Sequence, residues 1–167
     1  MKCAVLCNGP SKVLYKDNSD YNYVIGCNIP WTRVDCTVLL DEEVVRLWNK
    51  DPILINVPAY FSVSAWRETD AIKNREFFLP FLIELVEYKI EYFSSGHVAV
   101  TKAIEKGYTE IDIYGCDSYF EFNIVSYTHK FIKNANADDS PKHVMHWRDN
   151  WNMIIKNNPQ VKINFIR

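Results

Sequence analysis

Short apolar runs recur along the chain, and most of them stop at an Asn, Gly, Asp or Pro. These runs predict strands over residues 2–7, 23–27, 36–40, 53–57, 111–114 and 161–166. Apolar positions at helical spacing predict helices over residues 42–48 and 76–87, from Ser94 to Gly107, and from Ser140 onward. Strands that alternate with helices favour an α/β fold with a mostly parallel sheet and helices on both faces.

Polar residues mark the ends of two of these helices. Asp41 can cap the helix over residues 42–48, and the hydroxyl of Ser94 can cap the helix that runs to Gly107. Gly107 can end the helix from Ser94, since glycine adopts positive φ without strain.

Two prolines constrain the other helices. Pro80 must lie in the first turn of the helix over residues 76–87 or kink it. Ser140 followed by Pro141 is typical of a helix start. The predicted apolar face of that last helix consists of Val144, Trp147, Trp151, Ile154 and Ile155.

Length and composition are those of one folded domain. The 167 residues suit a single core, so residues 1–167 are expected to form one domain, and the alternation of strands and helices makes it Rossmann-like. Hydrophobic residues make up 48% and charged residues 24%, which disfavours disorder. The net charge of −2 disfavours a nucleic-acid binder, which needs an excess of Lys and Arg.

The five cysteines are odd in number, and no two have Cys-x-x-Cys spacing. Free, mostly buried thiols in a reducing compartment explain them better than disulfides or zinc. The opening apolar run is too short for a signal peptide, and no stretch has the length of a membrane span. A soluble cytoplasmic protein is therefore expected.

Polar residues follow several predicted strands at their carboxyl ends: Asn8, Asn28, Asp41, Gly115 and Asp117. Ligands of open α/β sheets bind beyond this edge. The alternative is that Asn, Gly and Asp only terminate strands, as they often do.

The first such loop is Asn8-Gly9-Pro10-Ser11. Gly9 allows close approach of a ligand to the backbone, and Ser11 can donate to a phosphate oxygen. Asn8 can bind a phosphate, a ribose or a base edge. The loop is neither the three-glycine dinucleotide fingerprint nor a P-loop.

The segment Ser94-Ser95-Gly96 lies at a predicted helix start, where the helix dipole and exposed N–H groups favour an anion. Ordinary capping is the alternative for these residues. A later segment, Gly115-Cys116-Asp117-Ser118-Tyr119, begins where a central strand ends, and Tyr119 is placed to touch a ligand.

Two histidines, His143 and His146, lie three residues apart near the start of the last helix and can share a face. Imidazole suits a general base that removes a proton from an attacking hydroxyl. Ordinary surface histidines are the alternative, and zinc lacks a third ligand with suitable spacing. His97 and His129 carry less weight, and no metal site is predicted.

Three motifs together resemble bacterial sialyltransferases of the Campylobacter type. Cys7-Asn8-Gly9-Pro10-Ser11 is similar to their Gly-Asn-Gly-Pro-Ser, and Ile25-Gly26-Cys27-Asn28 to their Arg-Cys-Asn. Ser94-Ser95-Gly96, followed by residues 107–111 and 114–117, is similar to their Thr-Ser-Gly, Gly-Tyr-Lys-Glu-Ile and Gly-Ile-Asp. The motifs also resemble a related uncharacterised group and archaeal pterin diphosphokinase-like proteins. Compared with those sialyltransferases, this chain is much shorter.

The resemblance implies a CMP-like nucleotide surrounded by Asn8, Gly9, Asn28, Ser94, Ser95 and Gly96. It implies that an aromatic hydroxyl helps to hold the phosphate, with Tyr119 the first choice and Tyr127 the second. It also implies a His before a late helix as general base, with His146 the first choice and His143 the second. The family reaction needs no metal, and no cofactor is expected.

Three functions stay open at this point. The first is a glycosyltransferase-like protein that uses a nucleotide sugar, such as a CMP-linked one. The second is a non-catalytic protein that binds or sequesters a nucleotide, since the segment corresponding to the family's lid is short. The third is a diphosphokinase-like transferase, which would need Mg²⁺ held by carboxylates such as those of Asp41 and Asp117. A homo-oligomer is compatible with all three.

Overall fold

The computed structural model describes residues 1–17, 20–87, 93–121, 127–129, 132–133 and 141–167. For residues 127–129, 132–133 and 141–144 it describes the backbone alone. The strands are β1 Lys2–Leu6, β2 Tyr23–Cys27, β3 Cys36–Leu39, β4 Ala59–Ser62, β5 Leu82–Val86, β6 Glu110–Tyr114, β7 Tyr127–His129, β8 Ile132–Lys133 and β9 Lys162–Ile166. The α-helices are α1 Glu42–Lys50, α2 Val63–Ala71, α3 Arg75–Phe78, α4 Ser95–Glu105 and α5 Pro141–Asn157.

Seven strands form one parallel sheet in the order β5-β4-β3-β2-β1-β6-β9, and β7 pairs with β8 as a separate antiparallel hairpin. The chain moves outward from β1 to β5 and then returns to place β6 on the other side of β1. The strand order therefore reverses between β1 and β6, and the loops after these two strands diverge from a crevice in folds of this type. The predicted α/β class, with a single-domain Rossmann-like fold, is confirmed.

Helices cover both faces of this sheet. On one face, α4 and α5 bury Val98, Ala103, Trp151 and Ile154 against residues of β1 and β6. On the other face, the core around α1 and α2 includes Trp48, which is fully buried against Phe61 and Phe78.

The predicted ends of α4 and the predicted start of α1 are confirmed, and capping residues lie at these positions. Ser94 is the N-cap of α4, and Gly107 after that helix has φ +86°, as its predicted role requires. Asp41 is the N-cap residue of α1, but its side chain makes no capping hydrogen bond.

The strand predicted over residues 53–57 is wrong. Residues Pro52–Leu54 form a short 3₁₀ helix, and the strand begins at Ala59. The carbonyl of Pro58 accepts from Thr37 N–H at 3.0 Å, so the sheet ladder starts beyond the apolar run.

The helix predicted over residues 76–87 is also wrong. The chain makes the single turn α3, then a 3₁₀ turn at Leu79–Phe81 that contains Pro80, and then the edge strand β5. Proline supplies no backbone donor, so the helix stops there, and pairing with β4 determines the rest.

Two details of the helices differ from the sequence pattern. The pattern does not predict helix α2, although Ser62 Oγ accepts from Ala65 N–H at 3.0 Å as an N-cap. On α5, Trp151 and Ile154 are buried as expected, whereas Ile155 is exposed and does not belong to the apolar face. Val144 and Ser140 lie outside the side chains that the structure describes.

The five cysteines are free thiols, and four of them are buried while Cys7 is half-buried. Within the described parts of the chain, no helix combines the length and the apolarity that crossing a membrane requires.

Candidate functional site

The loops that follow β1 and β6 are joined at the point where the strand order reverses. The N–H of Cys7 donates to the carbonyl of Tyr114, and the N–H of Gly9 donates to the carbonyl of Gly115, each at 2.8 Å. Both glycines are required by this contact. A Cβ on Gly9 would overlap Asp117 Oδ2 and Gly115 O, so only hydrogen fits between the loops.

A side-chain bridge fixes the same pair of loops. Asp117 Oδ2 accepts from both the N–H and the hydroxyl of Ser11, each at 2.9 Å. The Ser11 hydroxyl in turn accepts from the N–H of Gly115 at 3.1 Å. The hydroxyl expected to donate to a phosphate is therefore bonded within the protein, and Ser11 and Asp117 shape the loops of the site.

Asn8 connects the first loop to the end of β2. Its Nδ2 donates to the carbonyl of Cys27 at 3.2 Å, and the residue is only 7% exposed. Among the residues that the structure describes, the buried Oδ1 of Asn8 has no hydrogen-bond partner. A buried acceptor left in this state costs about 1–3 kcal/mol of folding free energy, so it calls for an explanation.

Asn28 holds the loop after β2 in an unusual backbone conformation. Its φ is +62°, a region that Asn tolerates better than most residues. Its N–H donates to Val38 O at 2.9 Å, and its carbonyl accepts from the Thr37 hydroxyl at 2.7 Å. The side chain is buried and accepts from Ser95 Oγ at 3.4 Å, which links this loop to α4.

The first turn of α4 packs directly on the loop after β1. A Cβ on Gly96 would lie 2.9 Å from Cys7 Sγ, so this position also favours the smallest side chain. The structure thus brings most of the predicted site residues to the carboxyl edge of the sheet. We call this set the rim, and it consists of Asn8, Gly9, Ser11, Asn28, Ser94, Ser95, Gly96, Gly115 and Asp117.

Tyr119 lies beside the rim, but its hydroxyl has a partner on α5. It donates to Asn152 Oδ1 at 2.8 Å, and the ring stacks on Phe165 with the centroids 4.4 Å apart. Arg148 Nε donates to the carbonyl of Ser118 at 2.9 Å, so α5 is attached to the loop after β6 at two places.

The two predicted base histidines both fall on α5. His146 is exposed and lies two residues before Arg148, the residue that contacts the loop after β6. His143 is in the first turn of the helix, and its side chain lies outside the described residues.

His97, which the sequence pattern ranked low, organises the start of α4. Its Nδ1 accepts from Ser94 N–H at 2.9 Å, so Nε2 carries the proton and donates to the Trp147 carbonyl at 2.9 Å. The ring is fully buried between Phe93 and Trp151. The spacing of Ser94 and His97 is that of a capping box, in which the N-cap residue and the third helical residue bond to each other's backbone. The third residue is usually Glu or Gln, so a His at this position is easily overlooked.

Burial lowers the pKa of His97 to about 4, and the hydrogen bond to Trp147 opposes this shift. Because the unfolded state binds the proton more tightly, this residue's contribution to stability is present above pH ~6.5 and is lost as the pH falls toward ~4. The loss amounts to about 3 kcal/mol in the free energy of unfolding.

The variant His97→Gln keeps the capping-box acceptor and removes the titrating group. Urea denaturation at pH ~7 and pH ~4 is expected to show a smaller acid-induced loss for His97→Gln than for the unsubstituted protein, by about 3 kcal/mol. Equal losses in the two proteins would show that His97 is not held neutral by burial.

Within the described residues, no group of three His, Cys, Asp or Glu side chains is arranged to hold a metal ion. Asp41 and Asp117 follow β3 and β6, which are separated by three strand spacings, or about 14 Å. Two ligands of one Mg²⁺ must lie much closer than this.

A separate cleft of about 540 Å³ lies between residues 30–34 and residues 53–57. It is on the face of the sheet opposite α4 and includes Trp31, Arg33 and Asn56 but none of the predicted site residues. It is therefore a second place where a ligand can be sought.

The chain matches no family model, and neither a curated protein nor a solved structure shows significant similarity to it. The resemblance to sialyltransferases and to diphosphokinase-like proteins therefore stays a prediction. The Rossmann-like architecture rests on the strand order and on the helices that cover the sheet.

Proposed function

We propose that the rim binds a nucleotide or a nucleotide sugar. The observation that carries the proposal is the buried Oδ1 of Asn8, an acceptor without a partner among the described residues, at the point where the strand order reverses. A ribose hydroxyl or a base amino group would supply the missing donor once a rotation of the Asn8 side chain turns Oδ1, which has almost no solvent-accessible surface, toward the ligand.

The phosphate of such a ligand fits the start of α4. The first N–H groups of a helix have no partners within the helix, and the dipole of this 11-residue helix favours an anion there. Ser94, Ser95 and Gly96 at this turn have small side chains, so little side-chain bulk separates their backbone from a phosphate. Ser95 and Gly96 are buried in the unliganded fold, so the neighbouring loops must move to admit the phosphate.

The shape of the fold supports the same position. In open parallel sheets, ligands bind beyond the carboxyl ends of the strands at the reversal of strand order, which here is the junction of β1 and β6. The glycines at positions 9 and 115 bring the two loops together without intervening side chains.

A thermal-shift screen tests the proposal directly. The protein is unfolded with CMP, CDP, UDP, GDP and pterin compounds, each with and without Mg²⁺. A nucleotide that binds the folded state alone raises the midpoint, by about 2.7 kcal/mol of stabilisation at a hundredfold excess over Kd. We expect a rise with at least one nucleotide and without Mg²⁺, and no rise with any of them would contradict the proposal.

Transfer of a sugar from the bound nucleotide is the second candidate function. The observation that favours it is the attachment of α5 to the loop after β6, which keeps His146 on the first turns of a helix that begins at this edge. In this reaction His146 removes the proton of an acceptor hydroxyl as the nucleotide phosphate departs. A protein that binds the nucleotide but transfers no sugar would be a sequestering protein.

The variant His146→Ala separates transfer from binding. It is expected to lower the rate of nucleotide release from a nucleotide sugar by about 100-fold or more, while nucleotide affinity changes little. Met145→Ala, an exposed neighbour on the same helix, is the matched control and should keep both properties. Equal losses of binding and turnover in His146→Ala would contradict its role as a base.

A further inference from the structure

Three thiols lie together directly beneath the rim. Cys7 Sγ is 3.9 Å from Cys27 Sγ, and the thiol of Cys116 interacts with Cys7 as well. Cys7 follows β1, Cys27 ends β2 and Cys116 follows β6, so the three come from neighbouring strands. The function proposed above makes no use of these sulfur atoms.

Cys7 and Cys27 are placed where a disulfide can form. Leu6 pairs with Gly26 in the parallel ladder of β1 and β2, so Cys7 and Cys27 lie directly opposite each other at the next position. Neighbouring strands are about 4.8 Å apart, which is within the range of Cα separations that disulfides span. Closing the bond requires the two sulfurs to approach by about 2 Å.

Cys7 is the thiol that ionises first. Hydrogen bonds from the thiols of Cys116 and Cys27 lower its pKa, although burial and the nearby carboxylate of Asp117 act in the opposite direction. The same contacts with Cys7 raise the pKa of Cys27 and of Cys116. Sγ of Cys7 also lies against the first turn of α4, where a helix favours negative charge.

We propose that Cys7 is a peroxide-reactive thiol and that Cys27 is its resolving partner. The Cys7 thiolate attacks one oxygen of hydrogen peroxide, the O–O bond breaks, and a sulfenic acid and hydroxide form. The Cys27 thiol then attacks the Cys7 sulfur, forms the S–S bond and expels the sulfenic oxygen as water. In sum, two thiols are oxidised to one disulfide while one peroxide is reduced to two waters.

The two remaining cysteines have different surroundings and serve as internal references. Cys3 and Cys36 are fully buried in the core beneath α4, and burial raises the pKa of both thiols, to about 11 for Cys36. Their strands, β1 and β3, are separated by β2, so they cannot pair with each other.

Peptide mapping of the oxidised protein tests the assignment. The reduced protein is treated with hydrogen peroxide, unfolded, alkylated and digested with trypsin without reduction. We expect a disulfide between the tryptic peptides of residues 3–12 and residues 17–33, and a dithiol should reduce it. Cys116 should be recovered in its alkylated form. Because Cys3 and Cys7 share one peptide, fragment spectra must assign the link to Cys7.

Two variants identify the role of each sulfur. In Cys27→Ser the sulfenic acid on Cys7 should persist and be captured by a dione reagent, whereas Cys116→Ser should still form the link. A link from Cys7 to Cys116 would overturn the assigned partner. If the unsubstituted protein gave no linked peptide, the proposal would be overturned altogether. This outcome does not depend on whether any variant folds.

A rate measurement provides a second, independent readout. In the folded protein, iodoacetamide is expected to modify Cys7 about tenfold or more faster than Cys3 or Cys36, because Cys7 is more readily ionised and is also the more exposed thiol. Equal rates at the three positions would contradict the proposal.

One consequence of the bond rests on the proposed function. Cys7 precedes Asn8 and Cys27 precedes Asn28, so the disulfide would shift two residues of the rim and lower nucleotide affinity. Peptide mapping detects the bond whether or not a nucleotide binds. A mapped bond without any nucleotide affinity would therefore reject the proposed function alone.

Discussion

Gly115→Ala is expected to lower the free energy of unfolding by about 3 kcal/mol or more, measured by urea denaturation. Gly115 has φ +72°, which costs an alanine about 1–2 kcal/mol. The rest of the effect comes from contact, because the new Cβ would lie 2.5 Å from the carbonyl oxygen of Cys7 and 3.1 Å from the nitrogen of Gly9. Backbone atoms cannot move aside as a flexible side chain can.

The loss of stability in Gly115→Ala should be accompanied by separation of the loops that follow β1 and β6. To accept a methyl group, the loop after β6 must move away from the loop after β1, which disrupts the hydrogen bond from Gly9 N–H to Gly115 O. The same movement breaks the hydrogen bond from the Gly115 N–H to the Ser11 hydroxyl. Nucleotide binding is therefore expected to fall together with stability in this variant.

Gly107→Ala is the matched control, since Gly107 also has positive φ, at +86°. Apart from Gly107 itself and its two neighbours in the chain, no atom of the described residues lies within 4 Å of the Cβ that the substitution adds, so only the conformational cost remains. We expect a loss of about 1–2 kcal/mol for Gly107→Ala. If both variants lost the same amount, the close contact of the central loops would be wrong.

Asn8→Ala is expected to weaken nucleotide binding about tenfold while leaving the folded state nearly as stable as before, as seen by calorimetric titration and thermal unfolding. The affinity falls because a hydrogen bond from the ligand to Oδ1, worth about 1–1.5 kcal/mol, is lost. Stability changes little, because the substitution removes the bond to the Cys27 carbonyl but also removes a buried acceptor that has no partner among the described residues.

Asn56→Ala is the matched control for this substitution. Asn56 is exposed and lines the cleft between residues 30–34 and 53–57, away from the rim. It should keep full nucleotide affinity. An Asn8→Ala protein that binds nucleotide normally but is clearly destabilised would mean that Asn8 has a structural role only.

The elements whose ends are marked by local chemistry could be predicted from the sequence. Apolar runs stopped by Asn8, Asn28 and Gly115 are strands that end at the rim, and Ser94 and Gly107 mark α4. The prediction failed where long-range pairing decided the structure. Residues 82–86 have an apolar pattern that also fits a helix, and they form a strand because β4 offers an edge for pairing.

The fold class alone predicts a candidate site at the carboxyl edge of the sheet, but it does not predict the contacts within the rim. The bridge from Ser11 to Asp117 joins residues 106 positions apart, and no periodicity in the sequence reports such a contact. The same holds for the cluster of Cys7, Cys27 and Cys116. Only the strand order brings the carboxyl ends of β2, β1 and β6 next to one another.

Binding of a nucleotide at the rim can be located by backbone amide NMR, during titration with the mononucleotide that raises the unfolding midpoint most. We expect saturable shifts that cluster at residues 8–11, 28, 94–96 and 115–117, because these loops meet at one edge of the sheet. Shifts confined to residues 30–34 and 53–57 would place the ligand in the other cleft and contradict a nucleotide site at the rim.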